Sequence, residues 1–324
     1  MIRVTAAGSL PGDDFRGALT AMTELLPDPL PWPELPDRGI GSDMIGRALG
    51  VIDDLGFDLQ PAGWRLIHGT GADHRRARAQ WRRDLDDAEE LLQGFPGPLK
   101  IALAGPWTLA ATVERPNGDR LLADHGARDE VAQALHEGWA RLRAELARRL
   151  PGVEVILQVD EPMLVAVGQG DIDTSSGFSR HRAVHRDDLT AALAPFRDGA
   201  WLHCCAPGDW LVTAERAGFR TAAVDSRLFR GAGIDRLVEW AQGGGNLALG
   251  VVDTASGRVQ PIDAVLAETL RVLRPLELGT AAVVRQVVLT TACGMAGWRI
   301  PDIPRQLESL REAARLAPEN LVED

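Results

Sequence analysis

Short apolar runs rich in Val, Ile, Leu and Ala recur along the chain. Most end in polar residues, Gly or Pro before a helical pattern begins. Near-continuous apolar runs that alternate with helices are typical of parallel strands covered by helices. We therefore predict eight strands, with the weakest pattern in the second of them. They are residues 3–7, 32–35, 100–104, 153–159, 201–205, 221–224, 247–252 and 287–291.

Between these runs, apolar residues recur at the three-to-four spacing of amphipathic helices. In residues 128–149, for example, Val131, Leu135 and Leu142 fall on one face. Several of the helical segments begin at Asp or Ser, the residues that cap helix N-termini. The predicted helices are residues 14–26, 42–55, 73–92, 128–149, 187–193, 209–217, 234–241, 261–273 and 303–316.

Eight strand-helix units in 324 residues indicate the α/β class and a single (β/α)₈ TIM barrel that spans residues 1–324. A doubly wound sheet is the alternative. No Gly-x-Gly-x-x-Gly turn follows the first predicted strand, and this favours the barrel. In a barrel, the catalytic groups come from the C-terminal ends of the strands.

Composition narrows the class of partner. A net charge of −11 argues against binding to nucleic acid or to an anionic membrane, because both are bound mainly through clustered Lys and Arg. No apolar stretch approaches the roughly 18 residues of a membrane span. Three cysteines are too few for a disulfide scaffold. We expect a soluble, cytoplasmic protein.

The cysteines point to a metal site. His203 and Cys205 lie two positions apart at a predicted strand end, so their side chains can point the same way while Cys204 faces away. Cys293 follows the last predicted strand. Three nitrogen and sulfur ligands with one further position are typical of a catalytic zinc. Burial in an ordinary core is the alternative for these residues, but their meeting at strand ends favours the metal.

Carboxylates also follow the predicted strands. Asp225 ends the strand next to that of His203, where it can bind the same ion or cap the following segment. Asp160 and Glu161 can bind an ammonium group or act as acid and base, although such residues can also be surface charges of a loop. Asp253 ends the strand at 247–252 and joins the same set.

Two turns complete the candidate site. The first, at residues 8–12, can present backbone N–H groups and the Ser9 hydroxyl to a substrate carboxylate, although a plain turn explains it as well. The second, at residues 105–109, contains Trp107, which either lines the pocket or packs in the core.

Five motifs occur in one order over nearly the whole chain: Gly-Ser-x-Pro, Gly-Pro-x-Thr, Val-Asp-Glu-Pro, His-x-Cys and Cys-Gly. Together they resemble the catalytic domain of cobalamin-independent methionine synthases. The resemblance implies a TIM barrel that binds zinc through His, Cys, Glu and Cys and transfers a methyl group from a folate to homocysteine. It implies His203, Cys205 and Cys293 as ligands, and it places Asp225 where the family has Glu. Ser9 and Asp160 fall where the family binds the amino-acid part of homocysteine.

The chain departs from the family at three points. We expect it to lack the additional N-terminal half of the long enzymes. The family histidine after strand seven is replaced by Ala255, and residues 38–44 lack the family's acidic residue and its Arg-Asn-Asp element. We expect one contact with the homocysteine amine to be missing. These changes leave zinc-thiol chemistry untouched.

The sequence thus predicts a zinc-dependent methyltransferase that activates a thiol, with homocysteine as the first choice. Its partners would be a small-molecule thiol and a methyl donor, either a folate or a corrinoid protein. The predicted catalytic residues are Asp160 and Asp253, and the predicted substrate-binding residues are Ser9, Asp160, Glu161 and Trp107. The alternatives are an alkyltransferase that uses another thiol or a corrinoid donor, and a catalytically silent thiol-binding homologue. A decarboxylase barrel would give the three metal-ligand candidates no task.

Overall fold

The computed structural model describes residues 1–69 and 71–321. Among them, eight strands form one sheet with parallel pairing throughout, and two more form an antiparallel hairpin. The strands are β1 (Arg3–Val4), β2 (Leu30–Pro31), β3 (Gly56–Gln60), β4 (Gly63–Ile67), β5 (Leu99–Ala104), β6 (Val155–Asp160), β7 (Trp201–Cys204), β8 (Thr221–Asp225), β9 (Asn246–Val252) and β10 (Val287–Thr291).

The strand order of the large sheet is β2-β5-β6-β7-β8-β9-β10-β1. From β2 onwards, each strand of this sheet lies beside the next one along the chain, and β1 pairs with β10. Strands β1 and β2 are the two ends of the order. Beyond β1 and β2, the chain forms a parallel bridge between Ser9 and Glu34. The prediction of an α/β protein with a parallel sheet is confirmed, and the sheet is TIM-barrel-like.

The described part of the chain contains twelve α-helices, most of which connect consecutive strands of the sheet. They are α1 (Phe15–Leu25), α2 (Met44–Gly50), α3 (Ala72–Leu91), α4 (Pro106–Thr112), α5 (His125–Arg149), α6 (Leu164–Gln169), α7 (Arg186–Leu193), α8 (Leu211–Ala217), α9 (Ile234–Gln242), α10 (Ile262–Leu273), α11 (Thr280–Gln286) and α12 (Asp302–Leu316). None of the helices in residues 1–69 and 71–321 combines the length and the apolar character needed to cross a membrane.

Aspartate caps begin several helices, as the sequence predicts. The side chains of Asp14, Asp43 and Asp124 accept hydrogen bonds from backbone N–H groups in the first turns of α1, α2 and α5. Each bond satisfies one N–H group that has no partner within its helix. Such caps set where the connecting helices start after the strands.

Three predicted boundaries are wrong. The strand predicted at 32–35 is β2, at Leu30–Pro31, because the N–H group of Glu34 donates to Gly8 O and no longer to β5. The strand predicted at 3–7 is paired only over Arg3–Val4, although the Thr5 N–H group still donates to Leu289 O. The helix predicted at 42–55 ends at Gly50, a poor helix former, and the β3–β4 hairpin follows.

The inner face of the sheet has its own small apolar core, with one buried residue from each of β6 to β10. These residues are Ile156, Trp201, Ala223, Ala248 and Val288. Side chains alternate along a strand, so residues two positions further face the same way. This alternation places Gln158, His203 and Asp225 above the core, towards the C-terminal edge of the sheet. A second, larger core packs the helices onto the sheet.

Candidate metal centre

Three of the predicted ligands meet at the C-terminal edge of the sheet. His203 lies in β7, Cys205 follows that strand, and Cys293 follows β10. Each of the three side chains offers one ligand atom, and these atoms lie within 4.8 Å of one another. The structure therefore brings together residues as far as 90 positions apart in the sequence.

The geometry of this group fits a zinc ion. Ligand atoms around one tetrahedral zinc lie about 3.3–3.8 Å apart, so small side-chain rotations would complete the site. The Nδ1 atom of His203 lies 3.1 Å from the backbone oxygen of Ala223, and Nε2 remains for a metal. Metal-ligating histidines are commonly oriented by such a second hydrogen bond. One imidazole and two thiolates are a donor set that zinc favours.

The two cysteines interact with each other. A hydrogen bond from Cys205, supported by one from His203, lowers the pKa of the Cys293 thiol far below its ordinary value. The same bond, together with burial, raises the pKa of Cys205. The pair thus favours one thiolate at neutral pH. Cys204 is fully buried and faces the core, and burial raises its pKa to about 12.

Asp225 lies at the end of β8, but its carboxylate is engaged elsewhere. Both of its oxygens accept hydrogen bonds from Arg227: the backbone N–H and Nε bind Oδ1, each at 3.0 Å, and Nη2 binds Oδ2 at 2.7 Å. The group of ligand atoms within 4.8 Å among the described residues does not include Asp225. Its role as a fourth ligand stays a prediction.

Asp253 shares the same arginine. Its carboxylate pairs with Arg227 Nη1 and also accepts the Ala255 N–H group at 3.0 Å. Ala255 is exposed. Arg227, Asp253 and Ala255 thus lie together at the C-terminal edge of the sheet, next to Asp225.

Asp160 is buried at the end of β6 and belongs to a polar chain inside the sheet. Gln158 Nε2 donates to Asp160 Oδ1 at 2.8 Å, and Lys100 Nζ donates to Gln158 Oε1 at 2.7 Å. Burial raises the pKa of Asp160, against the opposing effect of His203. Burial lowers the pKa of Lys100, because in an amine, as in a carboxylic acid, burial favours the neutral form. Because Lys100 can only donate, it fixes the orientation of the Gln158 amide and so the donor that faces Asp160.

Glu161 and Trp107 are held inside the protein. The Glu161 carboxylate is completely buried and accepts hydrogen bonds from the N–H groups of Trp107 and Thr108 and from the Thr108 hydroxyl, at 2.7–2.9 Å. Burial raises its pKa to about 7. The indole N–H of Trp107 donates to Leu189 O at 3.0 Å. To bind substrate as predicted, Glu161 and Trp107 would have to exchange these hydrogen bonds within the protein for hydrogen bonds to the substrate.

Ser9 lies next to the metal ligands. Its side chain fills the space beside the α-carbon of Gly294, where a methyl group would collide with the hydroxyl oxygen. Its backbone oxygen accepts the Met295 N–H group at 2.7 Å. The turn after β1 and the loop after β10 are therefore packed together, with Ser9 beside Gly294, the residue that follows Cys293. The role of Ser9 in substrate binding stays a prediction.

Sequence reasoning missed Glu34. This residue is buried, its Oε2 atom lies 3.9 Å from Arg47 Nε, and it interacts electrostatically with Asp160 and Cys293. Burial raises its pKa. Glu34 lies within the weak apolar run at 32–35, a few residues before the segment 38–44. The sequence did contain a signal for Glu34, because a charged residue within a run of apolar residues is unusual unless it has a function.

No family model and no curated protein sequence matches the chain. Several solved structures share its fold, among them the following two. A B12-independent methionine synthase from Shewanella sp. W3-18-1, in complex with selenomethionine, matches with a TM-score of 0.64 and 14% identity over 99% of both chains. A methyltransferase from Methanosarcina mazei matches with a TM-score of 0.54 and 14% identity, over 97% of this chain and 93% of that one. At these identities the likeness shows a shared fold.

Proposed function

We propose that this protein is a zinc-dependent methyltransferase that activates a thiol, with homocysteine as the acceptor. The observation that carries the proposal is the meeting of His203, Cys205 and Cys293 at the C-terminal edge of the sheet. Catalytic groups of TIM-barrel enzymes lie at this edge. The shared fold with a B12-independent methionine synthase supports the reaction class.

The three side chains would hold the ion and leave a position for substrate. Bound zinc lowers the pKa of a thiol ligand, so that the thiol reacts as a thiolate at neutral pH. The bond from this sulfur to the methyl carbon forms while the bond from that carbon to the donor breaks, and the donor leaves with the electron pair. Cys204, on the opposite face of β7, takes no part.

The surrounding residues suit an amino-acid substrate. Glu34 and Asp160 are two buried carboxylates that interact with each other, and both could accept hydrogen bonds from a bound ammonium group. Ser9 and the backbone of its turn would bind the substrate carboxylate. Asp253 would assist proton transfer to the departing donor, since Ala255 has no side chain for this task.

The methyl donor is a folate or a corrinoid protein. The exposed Ala255 favours considering a second candidate, a thiol-binding homologue without turnover, because the family histidine is thought to move a proton during transfer. Both candidates use the same metal centre. They differ in whether a methylated product appears.

We also propose that the sheet closes into a (β/α)₈ barrel and that residues 1–324 form one domain. The parallel bridge between Ser9 and Glu34 supports closure, since it connects the two ends of the sheet. The match to the Shewanella chain over 99% of both lengths supports a single domain.

Metal analysis tests the proposal directly. Purified wild type should contain about one zinc per chain by mass spectrometry, and Cys205→Ser and Cys293→Ser should each lose most of it. Cys204→Ala is the matched control, because this neighbour is buried and points away from the site; it should keep its zinc. A wild type that binds no zinc would overturn the proposal.

Activity then separates the candidates. Zinc-loaded protein is incubated with homocysteine and either methylfolate or methylcobalamin, and methionine is measured. Methionine with one donor identifies that donor. If neither donor gives methionine while homocysteine still changes the spectrum of a cobalt-substituted centre, the protein binds thiols without turnover.

A further inference from the structure

The backbone presents Asp225 to the metal centre. Strands β7 and β8 are parallel, and His203 lies beside Ala223 in their register. Asp225 is two positions beyond Ala223, so its side chain points to the same face of the sheet as that of Ala223. It is buried, with 5% of its surface exposed. From strand position alone, its carboxylate belongs with the metal ligands.

Arg227 redirects that carboxylate. A short turn over Ser226–Leu228 folds the chain back after β8, and Asp225 accepts the Arg227 N–H group at the start of this turn. The guanidinium then binds both carboxylate oxygens, which is the strong, bidentate form of this pair. Arg227 also binds Asp253, so the two carboxylates hold the arginine between them.

Releasing Asp225 to a metal would be unfavourable. It would break hydrogen bonds to both oxygens of a buried carboxylate and leave the arginine with one partner fewer. Breaking a buried or half-buried charged pair is costly because the remaining charge stays poorly solvated. Meanwhile His203, Cys205 and Cys293 already lie within reach of one ion without Asp225.

We propose that Arg227 withholds Asp225 from the metal, so that the centre has three protein ligands and a fourth position open to the substrate thiol. The inference rests on the proposed zinc function. In such a centre the thiol binds without displacing a protein carboxylate. Arg227 is then a positioning residue, which acts through Asp225 and does not touch substrate.

The test compares variants of the whole protein after metal removal with a chelator. Zinc affinity is measured by competition with a coloured chelator, and coordination is followed by the absorption spectrum of the cobalt-substituted protein. Asp225→Asn should leave the cobalt spectrum unchanged and zinc affinity within about twofold, since Asp225 is not a ligand. Arg227→Met should free Asp225 to bind, so that zinc affinity rises roughly tenfold, the scale on which partners around a metal site act.

Thiol binding gives a second readout. Cys205 and Cys293 already give the cobalt protein sulfur-to-cobalt charge-transfer bands, and homocysteine should increase their intensity as a third sulfur binds. A titration of this increase gives the affinity. Arg227→Met should weaken this affinity, and the double variant Arg227→Met with Asp225→Asn should restore it. Arg230→Met is the matched control, because Arg230 is a nearby, mostly exposed arginine that pairs with Glu268 instead.

The outcomes are distinguishable. If Asp225→Asn alone weakens zinc binding about tenfold or more, Asp225 is already a ligand and this inference fails while the zinc function stands. It also fails if a folded Arg227→Met changes neither zinc nor thiol affinity. If Arg227→Met does not fold, the Asp225→Asn result decides alone. A wild type without bound metal overturns the proposed function together with this inference.

Discussion

Individual residues differ in how far sequence predicts them. His203, Cys205 and Cys293 could be grouped because their side chains have few other uses at strand ends and because strand alternation fixes their direction. The partners of carboxylates could not be predicted in this way. Asp225 is bound by an arginine two positions away, and Glu161 by a helix more than fifty positions earlier. Such pairings depend on tertiary packing, which strand position does not encode.

Glu161 illustrates the difference between a predicted substrate contact and a structural one. We predict that Glu161→Gln lowers the free energy of unfolding by about 2–3 kcal/mol, because the amide replaces one charged acceptor with a donor that faces an N–H group. Urea unfolding measures this change. The KM for homocysteine should stay close to that of wild type, since the carboxylate is used by Trp107 and Thr108.

Glu130→Gln serves as the control, because Glu130 is an exposed residue of α5. Its free energy of unfolding should change by less than about 0.5 kcal/mol. An unchanged stability of Glu161→Gln together with a raised KM would instead assign Glu161 to substrate binding, as the sequence first suggested.

At the scale of elements, long apolar strands and long helices were predictable and short pieces were not. Strands β5 to β10 are near-continuous apolar runs, and α5 has a clear apolar face. Helices α4, α6 and α11 have only six or seven residues, too few to establish a periodicity. The β3–β4 hairpin has half-buried strands, and its polar residues obscure the alternation.

This hairpin packs on α3 through a buried histidine, which predicts a pH dependence. His74 stacks edge-on against Phe57 of β3 at 5.3 Å and lies 2.9 Å from Leu49 O. Burial lowers the pKa of His74 below its ordinary value of 6.5. The unfolded chain therefore binds a proton near pH 6.5 that the folded chain does not. Below that pH, the free energy of unfolding should fall by up to about 1.4 kcal/mol per pH unit.

Urea unfolding between pH 5 and pH 8 checks this expectation. His74→Gln keeps a donor for Leu49 O but does not titrate, so its stability should fall less steeply than that of wild type as the pH drops. His68→Gln, an exposed histidine next to the hairpin, should keep the slope of wild type. Equal slopes in wild type and His74→Gln would contradict the buried, neutral state of His74.

At the scale of the whole molecule, the order of the parallel strands follows their order along the chain, but the proposed closure of the sheet depends on a small contact. Beyond β1 and β2, Leu10 N–H donates to Glu34 O at 2.8 Å and Glu34 N–H donates to Gly8 O at 3.1 Å. The segment at 8–12 was predicted as a turn because it contains Gly and Pro, and the run at 32–35, which contains Pro33, gave the weakest of the predicted strands. The same contact brings Glu34 towards the candidate site, so the proposed closure and the proposed substrate binding depend on one segment.

Gly8 makes this contact possible and provides its test. Its φ of +144° is strained for other residues, and a methyl group there would collide with the Glu34 carboxylate. We predict that the Leu10 and Glu34 amides of wild type are protected from hydrogen exchange about as well as those of β5 and β6. Gly8→Ala should lose that protection while the other strands keep theirs.

Gly63→Ala separates strain from collision. Gly63 also has a positive φ, +126°, but a methyl group there would meet nothing within 4 Å. This variant should therefore lose stability through backbone strain alone and keep the protection of Leu10 and Glu34. Fast exchange at these two amides in wild type would mean that the sheet is open between β1 and β2. The carboxylate of Glu34 would then not be held near Asp160 by a closed barrel, and the ammonium site proposed for the substrate would lose one of its two charges.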